Sequence, residues 1–165
     1  MKKLWVFILL SLLIFSCKPK QDTGLLEENP SMEFRADELP QRNRVNSKSA
    51  KILNGWVEYN AFDASFGAVY NATNREDLIL TIDDLLEKQK IWYSSAYPDQ
   101  FDKAQIRSRQ KVLRTYLLKV KISLNYRTDF QAATVEMIDA YNALRNQFDV
   151  MVNSTLDPKL LSDEE

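Results

Sequence analysis

The chain has 165 residues, with 22 Lys and Arg against 23 Asp and Glu, one cysteine and no histidine. The lack of histidine excludes a Ser-His-Asp triad, His-ligated haem, a di-iron bundle of the Glu-x-x-His type and Cys/His zinc sites, and the near-neutral charge gives no general case for nucleic acid. Three glycines and five prolines disfavour an all-β fold built on tight turns and favour long helices.

The chain opens with Lys2 and Lys3, followed by an uncharged apolar run from Leu4 to Phe15. A basic start, an apolar stretch of this length and a small residue at Ser16 form the layout of a secretory signal peptide. As a helix the run reaches about 18 Å, short of the roughly 30 Å hydrocarbon core, so it reads as an export signal and not as a permanent span. A lone cysteine in an exported chain has no internal disulfide partner. Ile14-Phe15-Ser16-Cys17 resembles the lipobox of bacterial lipoproteins, although Phe15 departs from the small or Leu-like residue usual there. The resemblance covers residues 1–17 only. It implies cleavage before Cys17, acylation of that cysteine and a membrane anchor in the bacterial cell envelope. Each buried acyl CH₂ contributes about 0.8 kcal/mol, so several chains on one residue hold a domain durably. Loss of the signal removes Lys2 and Lys3, leaving 20 basic against 23 acidic residues. In the enteric lipoproteins this signal resembles, an aspartate after the cysteine retains the protein in the inner membrane. Lys18 stands here instead, which implies the outer membrane. Lys18-Pro19-Lys20-Gln21 lacks the acidic cluster that marks surface export in some groups, so a periplasm-facing domain is expected.

Residues 17–45 hold Pro19, Gly24, Pro30 and Pro40, many charges and scattered Leu25, Leu26, Met32 and Phe34. No period emerges, and the segment reads as a disordered tether, with room for a short helix around Ser31–Leu39. Residues 46–156 then show four helical segments. The first runs from Ser47 to Ala72, with Ile52, Trp56, Tyr59, Phe62, Phe66, Val69 and Tyr70 on one face. The second, Arg75 to Ala96, carries Leu78, Ile82, Leu85, Gln89 and Trp92. Its start is marked by Thr73 or Asn74 with acids following, and its end by Pro98. The third, Asp102 to Tyr126, carries Ile106, Leu113, Leu117, Val120 and Leu124. The fourth opens at Thr128 with a capping-box pattern to Gln131. Phe130, Thr134, Met137, Tyr141, Leu144 and Phe148 form its stripe, and it ends near Asn153. Residues 157–165 read as an acidic tail. Short connections predict antiparallel neighbours, so the expected architecture is an all-α, up-down-up-down four-helix bundle.

Four groups of residues stand out within the bundle. Asp63 lies in the centre of the first helix's apolar face, where a carboxylate must find partners. Aligning antiparallel helices puts it near Tyr141 and Thr134, so it reads either as a hydrogen bond to a tyrosine hydroxyl that fixes register or as a polar contact in a ligand pocket. Arg109 sits at the edge of the third stripe and reads as snorkelling, as an ion pair or as a ligand contact. Arg107, Lys111, Arg114 and Lys121 form a basic stripe that reads as a solvated face, as pairing with the acidic second helix (Glu76, Asp77, Asp83, Asp84, Glu87) or as a surface for an anionic partner. Trp56, Trp92, Tyr93, Tyr97 and Phe101 gather at one end, as core or as a binding surface. The expected protein is a non-catalytic envelope lipoprotein with no catalytic residue, no cofactor and no metal. Its anchor is Cys17, its partner is another envelope component, and it does not bind nucleic acid. The alternative is a small-ligand-binding bundle with a pocket near Asp63 and the aromatic end.

Overall fold

The computed structural model describes residues 34–154, and every regular element among them is helical. The signal peptide, Cys17, the first part of the tether and the acidic tail lie outside the described residues. In chain order the elements are a 3₁₀ turn at Ala36–Glu38, α1 (Ser47–Leu53), α2 (Val57–Phe66), a 3₁₀ segment (Gly67–Asn71), α3 (Arg75–Ser94), α4 (Ala104–Tyr126) and α5 (Phe130–Asn153). No helix among the described residues is long and apolar enough to cross a membrane.

Local sequence explains most of the boundaries. Asn46 caps α1 by accepting from Ser49 N at 2.9 Å. Asn74 caps α3 by accepting from Asp77 N at 2.8 Å, and the Asp77 carboxylate takes the Thr73 hydroxyl at 2.7 Å and the Thr73 amide at 3.2 Å. These bonds satisfy donors that a helix start leaves unpaired. They also hold the exposed Asp77 carboxyl below its usual range, led by the Thr73 hydroxyl.

The single first helix expected over Ser47–Ala72 is broken. At Asn54-Gly55 the chain turns through short bonds from Gly55 N to Ile52 O (3.1 Å) and from Trp56 N to Leu53 O (2.9 Å), and the Asn60 amide caps Asn54 O at 2.9 Å. Asn-Gly favours a turn over a helix interior, and the bend keeps both Leu53 and Trp56 in the core. After Phe66 the tighter 3₁₀ segment carries Val69 inward.

The start of the last helix also differs from expectation. Asp129, not Thr128, caps α5, accepting from Ala132 N at 2.9 Å. Thr128 N instead closes the end of α4 on Ser123 O at 3.0 Å, across Arg127 in the left-handed conformation (φ 51°). That is a Schellman-type ending with arginine where glycine is usual.

The largest departure lies in the tether. Residues 34–46 form an ordered strap over α5. Phe34 and Leu39 are buried, with Phe34 against Phe130 at 6.4 Å between ring centres. The helix foreseen near Ser31–Leu39 is one 3₁₀ turn. Side chains of α5 hold the strap's main chain. Gln131 donates to Arg35 O (2.9 Å) and accepts from Arg35 N (3.1 Å). Asn142 accepts from Asn43 N (2.8 Å) and donates to Gln41 O (3.0 Å), and Asp149 accepts from Asn46 N (3.1 Å). A chain with no hydrophobic period is thus ordered by polar side chains that another element supplies, a signal that period alone does not carry.

The core is continuous. α4 packs on α3 and α5, α2 packs on α3, and α1 packs on α5. Its stripes are those of the sequence: Leu78, Ile82, Leu85, Gln89 and Trp92 of α3, Ile106, Leu113, Leu117, Val120 and Leu124 of α4, and Phe130, Thr134, Met137, Tyr141, Leu144 and Phe148 of α5 are all buried.

Candidate functional site

Three features stand out on and around this apolar interior. The first is Asp63, on the inner side of α2 and about a quarter exposed. Its Oδ1 accepts from Tyr141 Oη at 2.5 Å, from Arg145 Nη1 at 2.6 Å and from Arg42 Nη1 at 3.0 Å. Arg42 also donates to the Asp63 main-chain oxygen at 2.7 Å. Arg145 is nearly buried and is spread over the same node, reaching Tyr59 Oη at 2.8 Å and Asn43 O at 2.7 Å. Burial pushes the Tyr141 hydroxyl well above its usual range, with Tyr59 and Asp63 adding to the effect. Tyr59 is raised mainly by burial and then by Asp63. Both phenols therefore remain neutral donors to or acceptors from the charged groups. Charge-assisted bonds of this kind are the stronger class, and the node ties the strap, α2 and α5 together.

The second feature is the aromatic end. Trp56 contacts Tyr59, Trp92, Tyr97, Phe101 and Phe148, with the Tyr97 ring centre at 4.8 Å. The Trp56 indole donates to Ser95 Oγ at 2.9 Å. Trp56, Trp92 and Phe101 are buried, and Tyr97 is partly exposed. Of the cluster the sequence placed at one end, Trp56, Trp92, Tyr97 and Phe101 come together against the core, whereas Tyr93 stands apart and lines the cleft between α3 and α4. Burial pushes the Tyr97 hydroxyl up to about 12. That hydroxyl donates to Gln110 Oε1, and the Arg107 guanidinium lies 4.0 Å over its ring.

The third is the basic stripe, which divides. Arg107 pairs with Asp102 at 2.7 Å and Lys121 with Asp83 at 2.7 Å. Arg114 crosses to α3, donating to Gln89 Oε1 at 2.9 Å and to Leu86 O at 3.4 Å. Lys111 is exposed and, with Arg114, lines a cleft of about 270 Å³ together with Gln89, Lys90 and Tyr93.

Arg109 is exposed and lines an open cleft of about 480 Å³ beside Ala104, Gln105, Ser108 and Gln147. Its inward neighbour Gln110 is the residue sequence reasoning missed. It fills the gap between Ile106 and Leu113, is fully buried, and leaves its Nε2 without a partner. Arg145 was missed in the same way, although it stands among Tyr141, Leu144 and Phe148 on the apolar face of α5. Among the described residues no group of three or more His, Cys, Asp or Glu comes together as metal ligands would.

Comparison with protein-family models, with curated proteins and with solved structures gave no match.

Proposed function

We propose that this chain is a non-catalytic lipoprotein of the bacterial envelope, in which a helical domain on a lipid tether at Cys17 binds or supports another envelope component. The observation that carries this reading is the strap. The chain that joins the domain to the N-terminus is fastened along α5 at Gln131, Asn142, Arg145 and Asp149 and locked to α2 through Arg42 and Asp63. A load on the tether is carried into the longest helix instead of peeling a terminus from the surface. The engagement of Asp63 Oδ1 by three donors makes that residue a structural fastening, and the burial of Trp56 and Trp92 assigns them to the core.

The finer architecture is read as an up-down-up-down four-helix bundle whose first member is the bent α1–α2 unit. Three contacts support it. Lys119 pairs with Glu136, Lys121 pairs with Asp83, and Arg75 Nη2 donates to Leu124 O at 2.6 Å. Each sets the C-terminal half of α4 beside the N-terminal half of a neighbour, as antiparallel packing requires.

Metabolic labelling with a fatty-acid probe tests the anchor: label is expected on the wild type and lost in Cys17→Ala, and label that survives the change refutes it. Crosslinking in cells followed by capture of the full chain tests the binding role. Recovery of a single envelope protein in stoichiometric yield is expected, and a chain that crosslinks to nothing contradicts it.

A further inference from the structure

The cleft between α3 and α4 presents three cations, Lys90, Lys111 and Arg114, and no carboxylate lines it. Neither Lys90 nor Lys111 has an ion pair among the described residues. Of the nearby acids, Asp83 pairs with Lys121, Asp84 with Lys88 and Asp102 with Arg107, while Glu87, exposed one turn before Lys90 on α3, does not line the cleft. Like charges gathered in a lining that holds no carboxylate raise the local potential, and a partly enclosed cleft concentrates it.

The back of the cleft is built. Gln89 sits in the buried stripe of α3 with 1% of its surface exposed. An aliphatic residue there would fill the stripe without desolvating an amide, which costs free energy unless it is hydrogen-bonded. Its Nε2 is tied to Gln110 O at 3.3 Å, which orients its Oε1 toward Arg114 Nη1 at 2.9 Å. Arg114 is thereby fixed by one nitrogen, while its Nε and Nη2 make no hydrogen bond among the described residues. A planar guanidinium pre-set in this way is suited to a phosphate-type oxyanion. Tyr93 completes the lining.

We propose that this cleft binds a phosphate group, held by Arg114 and the ammonium groups of Lys90 and Lys111, with Gln89 as the positioning residue. At about 270 Å³ the space is just below the usual range for small-molecule pockets. It suits a phosphate with a small substituent. The same chemistry is offered by free phosphate and by the headgroup of an anionic phospholipid. The proposal does not depend on the anchor at Cys17.

The test is calorimetric titration of the full chain in non-ionic detergent at low ionic strength. The two probes are inorganic phosphate and a short-chain phosphatidylglycerol below its micelle concentration. Saturable binding of phosphate is expected, and a short-chain lipid that binds about tenfold tighter assigns the headgroup as the source. Lys90→Gln with Lys111→Gln should weaken binding by about tenfold or more with the melting temperature unchanged, since both side chains are exposed. Arg107→Gln, on the same helix face but outside the cleft, should leave affinity within about twofold. Absence of heat with both probes overturns the proposal. So does an equal loss in Arg107→Gln, which would mean diffuse surface charge, or full affinity in the double lysine variant.

Discussion

Replacing Asp63 with alanine removes the one carboxylate that Arg42, Arg145 and Tyr141 share. Arg145 keeps only 9% of its side chain exposed, so its guanidinium would remain buried with the Tyr59 and Tyr141 hydroxyls and the Asn43 carbonyl but no counter-charge. Removing one member of a fully buried ion pair costs about 3–5 kcal/mol. Asp63 is a quarter exposed and Arg42 a third, so solvent screens part of that loss, and the expected cost is about 2–4 kcal/mol. For a domain of this size that lowers the melting temperature by roughly 10 °C. The assay is urea unfolding of the full chain followed by the fluorescence of Trp56 and Trp92, run as a cycle with Arg145→Met and the double variant. The double variant should lose less than the sum of the singles by about 1–3 kcal/mol, because the uncompensated charge is then absent. Trypsin should also cut after Arg42 faster in Asp63→Ala, since the strap loses its lock. A cost below about 0.5 kcal/mol, or strict additivity, would refute the role given to the node.

Arg127→Gly should stabilise the protein by about 0.5–1 kcal/mol, because arginine is strained at a φ of 51° and glycine is not; a lower urea midpoint would contradict this. Phe148→Ala should cost about 3–5 kcal/mol, since its ring lies within 4.6 Å of Phe101 and 5.6 Å of Tyr59 between centres in the closed aromatic core; a loss under about 1 kcal/mol would show that the site relaxes freely. Burial raises the Tyr97 hydroxyl from 10.0 to about 12, so folding favours its neutral form. That contribution is fully present below about pH 10 and is lost as pH rises through about 12. Tyr97→Phe should therefore show a shallower fall of stability across that alkaline window than the wild type, and an unchanged slope would sink the assignment.

Residues with a period were legible in the sequence. The α3, α4 and α5 stripes follow from helical spacing alone, because a helix that packs on one side must repeat its apolar residues every three to four positions. Asp63 and its tyrosine partner Tyr141 were legible for the same reason, as a polar interruption on an otherwise apolar face. Arg145 carried an equal signal on α5, a charged residue among Tyr141, Leu144 and Phe148 that needs polar partners if it is buried. Gln110 likewise fills a visible gap in the α4 stripe, beside the exposed Arg109. The strap was not legible. Its order comes from side chains of Gln131, Asn142, Arg145 and Asp149 about a hundred residues away, and local composition reports none of them. The bend at Asn54-Gly55 had a turn signal that the hydrophobic period on either side outweighed.

The lipid tether at Cys17 is tested most directly by the mature N-terminus. Mass spectrometry of the N-terminal peptide from membrane-extracted protein should find the chain beginning at Cys17 and carrying acyl groups on that residue. A mature chain that begins at another residue, or at an unmodified Cys17, would contradict it.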